Sequence, residues 1–351
     1  MAVIKIKKDY FLIPIIFLCL FALFKYPIYV KEGVINGIEI CLYTIIPTLF
    51  PFMTLSTYIV KSNILSPFYK VFSFPSKLLF RQPPCTTSVI IMSMIGGFPV
   101  GIKMANDLYI TKRINTEQAQ RLCLFCMNGG PAFVITTVGI SMLGNVKVGI
   151  IIYTSLCIAS LISGIISSYI ADKNSVSEKN ESDISLPLST LSASISDSTQ
   201  AITSICSWIV LFSAVTSCLK EFNSNNKLYM ILCSLLEVTN GCYILVGNVA
   251  IPIIAGIIGF GGICIHFQVL SFLKNMKLKY SYFLISRILS GLLSAIVTQI
   301  ILMFCPIETD VFSNFNENII YSFSVSAPTF FVVIIMCIIM ILDIDRKKKI
   351  C

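Results

Sequence analysis

Long apolar runs separated by short basic gaps constrain this chain more than any other feature of its sequence. The clearest runs are residues 148–170, 282–304 and 319–342. Each is long enough to cross the hydrocarbon core of a bilayer, which takes about 20 residues. Charged residues make up 12% of the 351 residues, about half the roughly 25% of an ordinary soluble domain. The sequence therefore predicts an all-α, polytopic membrane protein with about 8–10 membrane segments.

The order of runs and gaps divides the chain into five predicted parts. They are an N-terminal anchor span (1–34), a first repeat (35–171), a polar linker (172–197), a second repeat (198–318) and a C-terminal span with a basic tail (319–351). The linker is rich in serine, asparagine and acidic residues, so we expect it to be solvated. The net charge of +9 comes from lysine and arginine in the gaps, where such residues report membrane topology. No nucleic-acid partner is predicted.

Two parts of the sequence match each other when it is shifted by 162 residues. Gly97-Phe98 falls on Gly259-Phe260, and Lys112 falls on Lys274. Paired, glycine- and proline-interrupted apolar segments in two halves of a chain are typical of transporters that bind substrate near the bilayer midplane. The alternative is that these glycines only allow helices to pack closely. We predict two repeats whose segments near 86–105 and 248–273 form matched hairpins or broken helices at the centre.

The basic gaps leave the orientation of these segments open. Basic residues flank 85–105 on both sides, so this segment is a re-entrant hairpin if both gaps are cytoplasmic. Counting the basic residues in the gaps does not give the second half a consistent orientation in the membrane. An inverted repeat would place some basic loops on the non-cytoplasmic side.

The candidate substrate site consists of residues at the breaks in both halves. A broken helix leaves backbone groups unpaired, which is tolerated at membrane depth only where they line a cavity or bind a ligand. The N-terminal end of a half-helix also favours an anion. The candidate residues are Gly96, Gly97, Phe98, Pro99, Gly101, Lys103, Asn128, Gly129, Gly130 and Pro131 in the first half, and Glu237, Asn240, Gly259, Gly261, Gly262, His266 and Gln268 in the second.

Three ionisable residues stand out within this set. Lys103 follows the first break and is predicted to neutralise an anionic substrate, because an ionisable group inside a membrane is a functional candidate. The alternatives for Lys103 are that it extends to the membrane interface or pairs with Asp107, one helical turn away. Glu237, together with Asn240, is predicted to be a proton or cation site. His266 is either part of the site or a packed polar residue.

The sequence contains no constellation that would carry covalent catalysis. It has one histidine, and no phosphate-binding glycine loop, nucleophile elbow or His-Glu-x-x-His motif occurs. The 14 cysteines are scattered through apolar segments and form neither a disulfide framework nor a zinc motif. We therefore predict a protein that is not an enzyme and has no metal site and no cofactor.

Two short strings carry a resemblance to a known family. The string Gly-Gly-Phe-Pro-Val-Gly-Ile-Lys at 96–103 is followed by Asn-Gly-Gly-Pro at 128–131. Together they resemble the sporulation integral membrane proteins that carry a nucleoside-recognition, or Gate, domain. The strings at 47–52 and 208–212 are similar to that family too, and the resemblance extends over about residues 35–342.

The resemblance implies a function as well as a fold. It implies expression in the mother cell of a spore-forming bacterium, a place in the outer forespore membrane, and transport of dipicolinic acid, a small aromatic dianion, into the developing spore. The expected partners are this anionic substrate and the lipid bilayer. Whether the protein forms a homo-oligomer is left open by the sequence. The alternatives are a nucleoside or other small-solute carrier, or a sporulation membrane scaffold that transports nothing.

Overall fold

The computed structural model describes residues 21, 24–62, 64, 76–169, 188–219, 227–273, 276, 278 and 280–306. Every regular element within these residues is helical, which confirms the predicted all-α class. Most of the anchor span, residues 170–187 of the linker region, and all of the C-terminal span and basic tail lie outside the described residues.

The α-helices are α1 (Pro27–Ile40), α2 (Ile46–Ser62), α3 (Thr87–Ile95), α4 (Val100–Ile110), α5 (Thr116–Phe125), α6 (Val146–Tyr169), α7 (Leu188–Cys218), α8 (Lys227–Leu236), α9 (Val238–Leu245), α10 (Ile251–Phe260), α11 (Gly262–Phe272) and α12 (Tyr280–Phe304).

Tighter and wider helical turns complete the described part of the chain. A short 3₁₀ turn, Pro84–Thr86, leads into α3. A π-helical turn, Cys41–Ile45, joins α1 to α2, and a longer π-helix spans Ala132–Met142. Wide turns of this kind often occur at functional sites. Both π-helical segments border the cavity described below.

Among the described residues, five helical segments are long and apolar enough to cross a membrane. They are Pro27–Ser62, Val146–Tyr169, Ser189–Cys218, Ile251–Phe272 and Tyr280–Phe304. Shorter apolar helices lie at Pro84–Ile95, Ala132–Met142 and Lys227–Leu236. Half-length helices can stay at membrane depth only when protein or a cavity covers their ends. The chain is therefore a polytopic membrane protein with short helices inside it.

The helices break where glycines allow backbone conformations that other residues avoid. The first break lies between α3 and α4, where Gly97 has φ 75°. The second lies between α10 and α11, where Gly261 has φ 88°. Positive φ costs glycine little because it has no Cβ atom. After these breaks, α4 and α11 begin 162 positions apart, at residues 100 and 262, and both contain 11 residues.

One predicted break occurs in the first half but not at the matching place in the second. Residues 126–131 interrupt the path from α5 to the π-helix Ala132–Met142, whereas α12 continues through the corresponding residues 288–293. The first half has Asn-Gly-Gly-Pro at this place, and the second half has only Gly291. Because proline has no N–H and its ring clashes with the preceding turn, only the first sequence ends a helix there.

Helix α7 begins earlier than the sequence suggests. It starts at Leu188, inside the segment 172–197 predicted to be a polar linker. Its hydroxyl side chains bond back to their own helix, as Ser194 does to the Thr190 carbonyl at 2.7 Å and Thr199 to the Ile195 carbonyl at 2.9 Å. Such bonds satisfy serine and threonine within a helix. A serine-rich composition therefore does not exclude a helix here.

Close helix packing brings the two halves together. Helix α7 of the second half packs along α1 and α2 of the first, and α12 packs against α5 and α6. Gly33 and Gly37 of α1 face α7, and a Cβ atom on Gly37 would lie 2.8 Å from the Val210 Cα atom. Small residues at such crossings let helix backbones approach closely inside a membrane. This packing encloses a cavity that is lined by the first break and by α11, the helix that follows the second break.

Candidate functional site

A cavity of about 640 Å³, counted with its open mouth, lies between the two halves of the described chain. The first half contributes the π-helical turn after α1, the start of α2, the break between α3 and α4, and the start of the π-helix Ala132–Met142. The second half contributes α7, the start of α9 and one face of α11. Its lining residues are Thr44, Ile45, Thr48, Leu49, Phe52, Ile95, Gly96, Gly97, Phe98, Gly130, Ala132, Phe133, Ile205, Ile209, Glu237, Val238, Thr239, Ile265 and Gln268.

Unpaired backbone donors border this cavity. Within the described residues, the amide N–H groups of Gly97, Phe98 and residues 128–130 have no hydrogen-bond acceptor. Gly97, Phe98 and Gly130 line the cavity. The two strands of backbone touch, because a Cβ atom on Gly97 would lie 2.7 Å from the Gly130 nitrogen. A polar ligand could satisfy these donors, as buried N–H groups require.

Glu237 is the ionisable residue of the cavity lining. Its side chain is buried, with 2% of the residue exposed. It is also the N-cap of α9, where its carboxylate oxygens accept hydrogen bonds from the amides of Thr239 at 3.0 Å and Asn240 at 2.7 Å. A carboxylate at a helix N-terminus is stabilised by the free N–H groups and by the helix dipole. The carboxylate thus has a fixed position on the cavity wall.

The remaining polar groups of the lining are hydroxyls and one amide. Thr48 donates its hydroxyl to the Thr44 carbonyl at 2.5 Å, which leaves the hydroxyl oxygen able to accept. The amide nitrogen of Gln268 is 3.4 Å from the sulfur of Cys264, a weak acceptor. Both side chains can therefore bond to a ligand. The rings of Phe52, Phe98 and Phe133 add an aromatic wall.

The cavity collects some of the sequence-predicted site residues and leaves the others outside its lining. Those in the lining are Gly96, Gly97, Phe98, Gly130, Glu237 and Gln268. Those outside it are Pro99, Gly101, Lys103, Asn128, Gly129, Pro131, Asn240, Gly259, Gly261, Gly262 and His266.

Most of the excluded glycines and prolines shape the breaks. Pro99 precedes α4, and Pro131 precedes the π-helix Ala132–Met142. Gly261 packs against the first break, where its Cβ atom would lie 3.6 Å from the Phe98 ring. Gly259 packs on α12, where a Cβ atom would lie 2.6 Å from the Ser294 hydroxyl. These residues set the shape of the backbone that lines the cavity.

The other excluded glycines and Asn128 lie in the same breaks. Gly101 faces Ser93 of α3, and Gly129 faces Ile258 of α10. Gly262 begins α11 with φ 66°. The side-chain nitrogen of Asn128, Nδ2, is buried without a hydrogen-bond partner among the described residues.

Lys103 has partners outside the cavity. Its ammonium lies 2.9 Å from a carboxylate oxygen of Asp107 and 2.6 Å from the hydroxyl of Thr57. Its side chain is only 7% exposed, so the ammonium is covered by protein. The structure thus realises the alternative in which Lys103 and Asp107 pair along α4.

Asn240 and His266 also have partners of their own. Asn240 bonds to Asn36 at 3.2 Å and to Ser213 at 3.3 Å, which ties α9 to α1 and α7. His266 lies 3.1 Å from the Phe260 carbonyl and packs against the ring of Phe283. The histidine is therefore a packed polar residue in the described chain.

Arg287, a buried residue of α12 that reaches the first half, is not among the residues predicted from the sequence. Its guanidinium donates to the carbonyls of Met127 and Leu124, both at 2.7 Å, and to the Ser290 hydroxyl at 2.9 Å. The residue is 1% exposed. A charged residue inside an otherwise apolar span was the signal that could have identified it.

The described residues contain no group of three or more histidine, cysteine or acidic side chains arranged to hold a metal ion. Among the described residues, the lining of this cavity contains no lysine and no arginine. The described lining offers hydrogen bonds from backbone amides, hydroxyls, a side-chain amide and a carboxylate, together with contact to aromatic rings.

Comparison with known proteins gives one relative at low identity. No protein-family model matches the chain, and no solved structure matches it at a significant level. The chain is 23% identical over 319 residues to the sporulation integral membrane protein YlbJ of Bacillus subtilis (strain 168). The match covers 78% of this chain and 77% of that protein. The chain is thus an integral membrane protein similar to a sporulation membrane protein.

Proposed function

We propose that this protein is a membrane transporter that moves a small carboxylate anion, dipicolinic acid, into the developing spore. The observation that carries the proposal is the cavity between the two halves, bordered by backbone N–H groups that have no acceptor among the described residues. At membrane depth such groups persist where they line a cavity or contact a ligand. Passage of the anion would need no covalent chemistry, so the protein would act as a carrier and not as an enzyme.

The arrangement of contacts supports a two-repeat organisation around this cavity. Several contacts join residues separated by nearly the 162 positions of the sequence match. The Cys41 thiol faces the Cys206 carbonyl, 165 positions away, and Arg287 bonds to carbonyls 160 and 163 positions away. Phe98 touches Gly261, which lies at the matched second break. Residues near a two-fold axis between repeats contact their own counterparts, so these contacts are those that paired repeats would make.

The cavity has features that suit a small aromatic acid. The phenyl rings of Phe52, Phe98 and Phe133 offer flat apolar surfaces to an aromatic ring, which favours offset or edge-on contacts. The N–H groups of Gly97, Phe98 and Gly130 can donate to a carboxylate, and such charge-assisted bonds are the stronger kind. We therefore assign the substrate carboxylate to these donors, since Glu237 already occupies the N-terminus of α9.

The proposed location is the outer forespore membrane derived from the mother cell. The resemblance of the strings at 96–103 and 128–131 implies this location, and the similarity to YlbJ, a protein named for sporulation and for the membrane, supports it. The Gate-domain relationship remains part of this proposal.

A nucleoside or another neutral solute is the second candidate substrate. Glu237 in the cavity lining favours it, because a buried carboxylate repels an anion and accepts hydrogen bonds from hydroxyls. A scaffold that transports nothing is less well supported, because it has no use for two broken helices beside a cavity.

Uptake by vesicles that contain the purified protein tests the proposal. Labelled dipicolinate and a labelled nucleoside are offered in parallel, with protein-free vesicles as the background. Saturable uptake of dipicolinate alone supports the proposal, and saturable uptake of the nucleoside alone supports the second candidate. Uptake of neither, by protein that elutes as a single folded species, contradicts both.

A further inference from the structure

The end of helix α5 in the first half lies close to one arginine of the second half. Helix α5 ends at Phe125, and the break at residues 126–131 follows. The guanidinium of Arg287 lies against the carbonyls of Leu124 and Met127, on either side of that end. The next residues, 128–130, carry the unpaired N–H groups, and Gly130 lines the cavity.

The partners of Arg287 distinguish it from an arginine held in an ion pair. Among the described residues it forms no ion pair with a carboxylate, and its bonds go to two main-chain carbonyls and one hydroxyl. Carbonyls at a helix C-terminus are partners for a cation, because they are otherwise unbonded and carry the negative end of the helix dipole. Arginine reaches the two carbonyls with two different nitrogens of its rigid, planar guanidinium, whereas the donors of a lysine all belong to one nitrogen.

We propose that Arg287 is the positioning residue that fixes the break at residues 126–131, and with it the N–H donors that the first half presents to the substrate. The inference rests on the proposed transport function. A residue of the second half would thereby set the positions of the N–H donors in the first half. Movement of α12 would be transmitted through the guanidinium to the backbone around Gly130.

The chain offers a matched control in Arg121. This arginine is also buried and also donates to two main-chain carbonyls, those of Phe80 and Arg81. Neither carbonyl belongs to the cavity lining. Exchange of either arginine for lysine keeps the charge and removes the fork. If only the Arg287 variant changes substrate uptake, the change comes from the contact of Arg287 with the break and not from the loss of a buried guanidinium in general.

The first measurement is the concentration dependence of dipicolinate uptake by vesicles containing equal amounts of each protein. We expect Arg287→Lys to raise KM about tenfold or more, a change of about 1.4 kcal/mol or more in binding, with a smaller effect on the maximal rate. Arg121→Lys should keep the wild-type KM. A wild-type KM in Arg287→Lys, or the same rise in both variants, would overturn the inference.

The second measurement does not depend on the substrate. Cys126, the first residue of the break, is fully buried, so a membrane-permeant maleimide should modify it slowly in the wild-type protein. We expect mass spectrometry to show Cys126 modified at least several-fold faster in Arg287→Lys, and at the wild-type rate in Arg121→Lys. An unchanged rate in Arg287→Lys overturns the inference even where the wild-type protein transports dipicolinate. If the wild-type protein transports nothing, the proposed function fails and the result for Cys126 still stands. Should Arg287→Lys fail to accumulate, Arg287→Gln, which keeps one donor group, replaces it under the same criteria.

Discussion

The ammonium nitrogen of Lys103 lies 2.9 Å from a carboxylate oxygen of Asp107, one turn further along α4. The hydroxyl of Thr57 on α2 completes the contact at 2.6 Å. This arrangement compensates the charge of Lys103 within the protein. It also ties α4, which follows the first break, to α2, which lines the cavity.

The pair predicts an asymmetry between single and double substitutions of these residues. Lys103→Gln leaves a largely buried carboxylate without its cation, and removing one partner of a buried pair costs about 3–5 kcal/mol. We expect Lys103→Gln to lower the melting temperature and the uptake rate, and Lys103→Gln with Asp107→Asn to regain most of both. The exposed Lys147 is the control, since Lys147→Gln should change neither. A double variant that is stable but cannot transport would instead mean that the ammonium binds the substrate directly.

Glu237→Gln separates the two candidate substrates. The substitution removes the negative charge from the cavity wall but keeps one oxygen to cap α9. We expect a lower KM for dipicolinate, because the repulsion between two carboxylates is lost. For a nucleoside we expect a higher KM, because a charged acceptor bonds more strongly than a neutral one. Paired uptake curves for the two substrates decide between these outcomes, and an unchanged KM for both would contradict a role for Glu237 at the site.

Gly97→Ala should damage the break, and Gly247→Ala provides a control with the same backbone strain. Both glycines have positive φ, 75° and 78°. A Cβ atom on Gly97 would lie 2.7 Å from the Gly130 nitrogen, whereas nothing lies within 4 Å of one on Gly247. We expect Gly247→Ala to cost about 1 kcal/mol in folding free energy, and Gly97→Ala to cost more and to abolish uptake. Thermal unfolding and vesicle uptake measure both effects; equal losses in the two variants would contradict close contact at the break.

Gln268→Met tests the amide in the cavity wall. Methionine has a similar length but cannot form the hydrogen bond, which typically contributes about 0.5–1.5 kcal/mol. We therefore expect KM to rise by about two- to tenfold while the melting temperature changes little. Cys264→Ala removes the sulfur next to the amide and should leave KM unchanged. Wild-type KM in Gln268→Met would exclude the amide from substrate binding.

The helix breaks are the part of the site that the sequence predicts well. Glycine and proline act on the backbone locally, so residues 96–99 and 259–262 indicate their own conformation. The equal lengths of α4 and α11 agree with the shift of 162 found in the sequence. The place of Glu237 in the cavity lining could also be inferred from the sequence, because acidic residues are rare inside apolar segments, and its role as a proton or cation site stays a prediction.

The partners of the side chains could not be predicted in the same way. The pairing of Lys103 with Thr57 and the contact between Arg287 and the carbonyl of Met127 depend on how distant helices cross. No local pattern encodes such a crossing. The cavity residues Thr44 and Phe133 could not be predicted for a second reason. They lie in π-helical segments, whose wider turn changes which side chains face inward.

The position of Arg287 also bears on how such a chain could arise from two copies of a shorter one. On the axis of a symmetric homodimer, an arginine would meet its own copy, and like charges repel. In the single chain, the residue 162 positions earlier is Phe125, which is apolar and lies between the two carbonyl groups that Arg287 bonds. Joining two copies into one chain frees the two positions to diverge. Two identical subunits would carry an arginine at both of these positions, whereas the single chain carries Arg287 at one and Phe125 at the other.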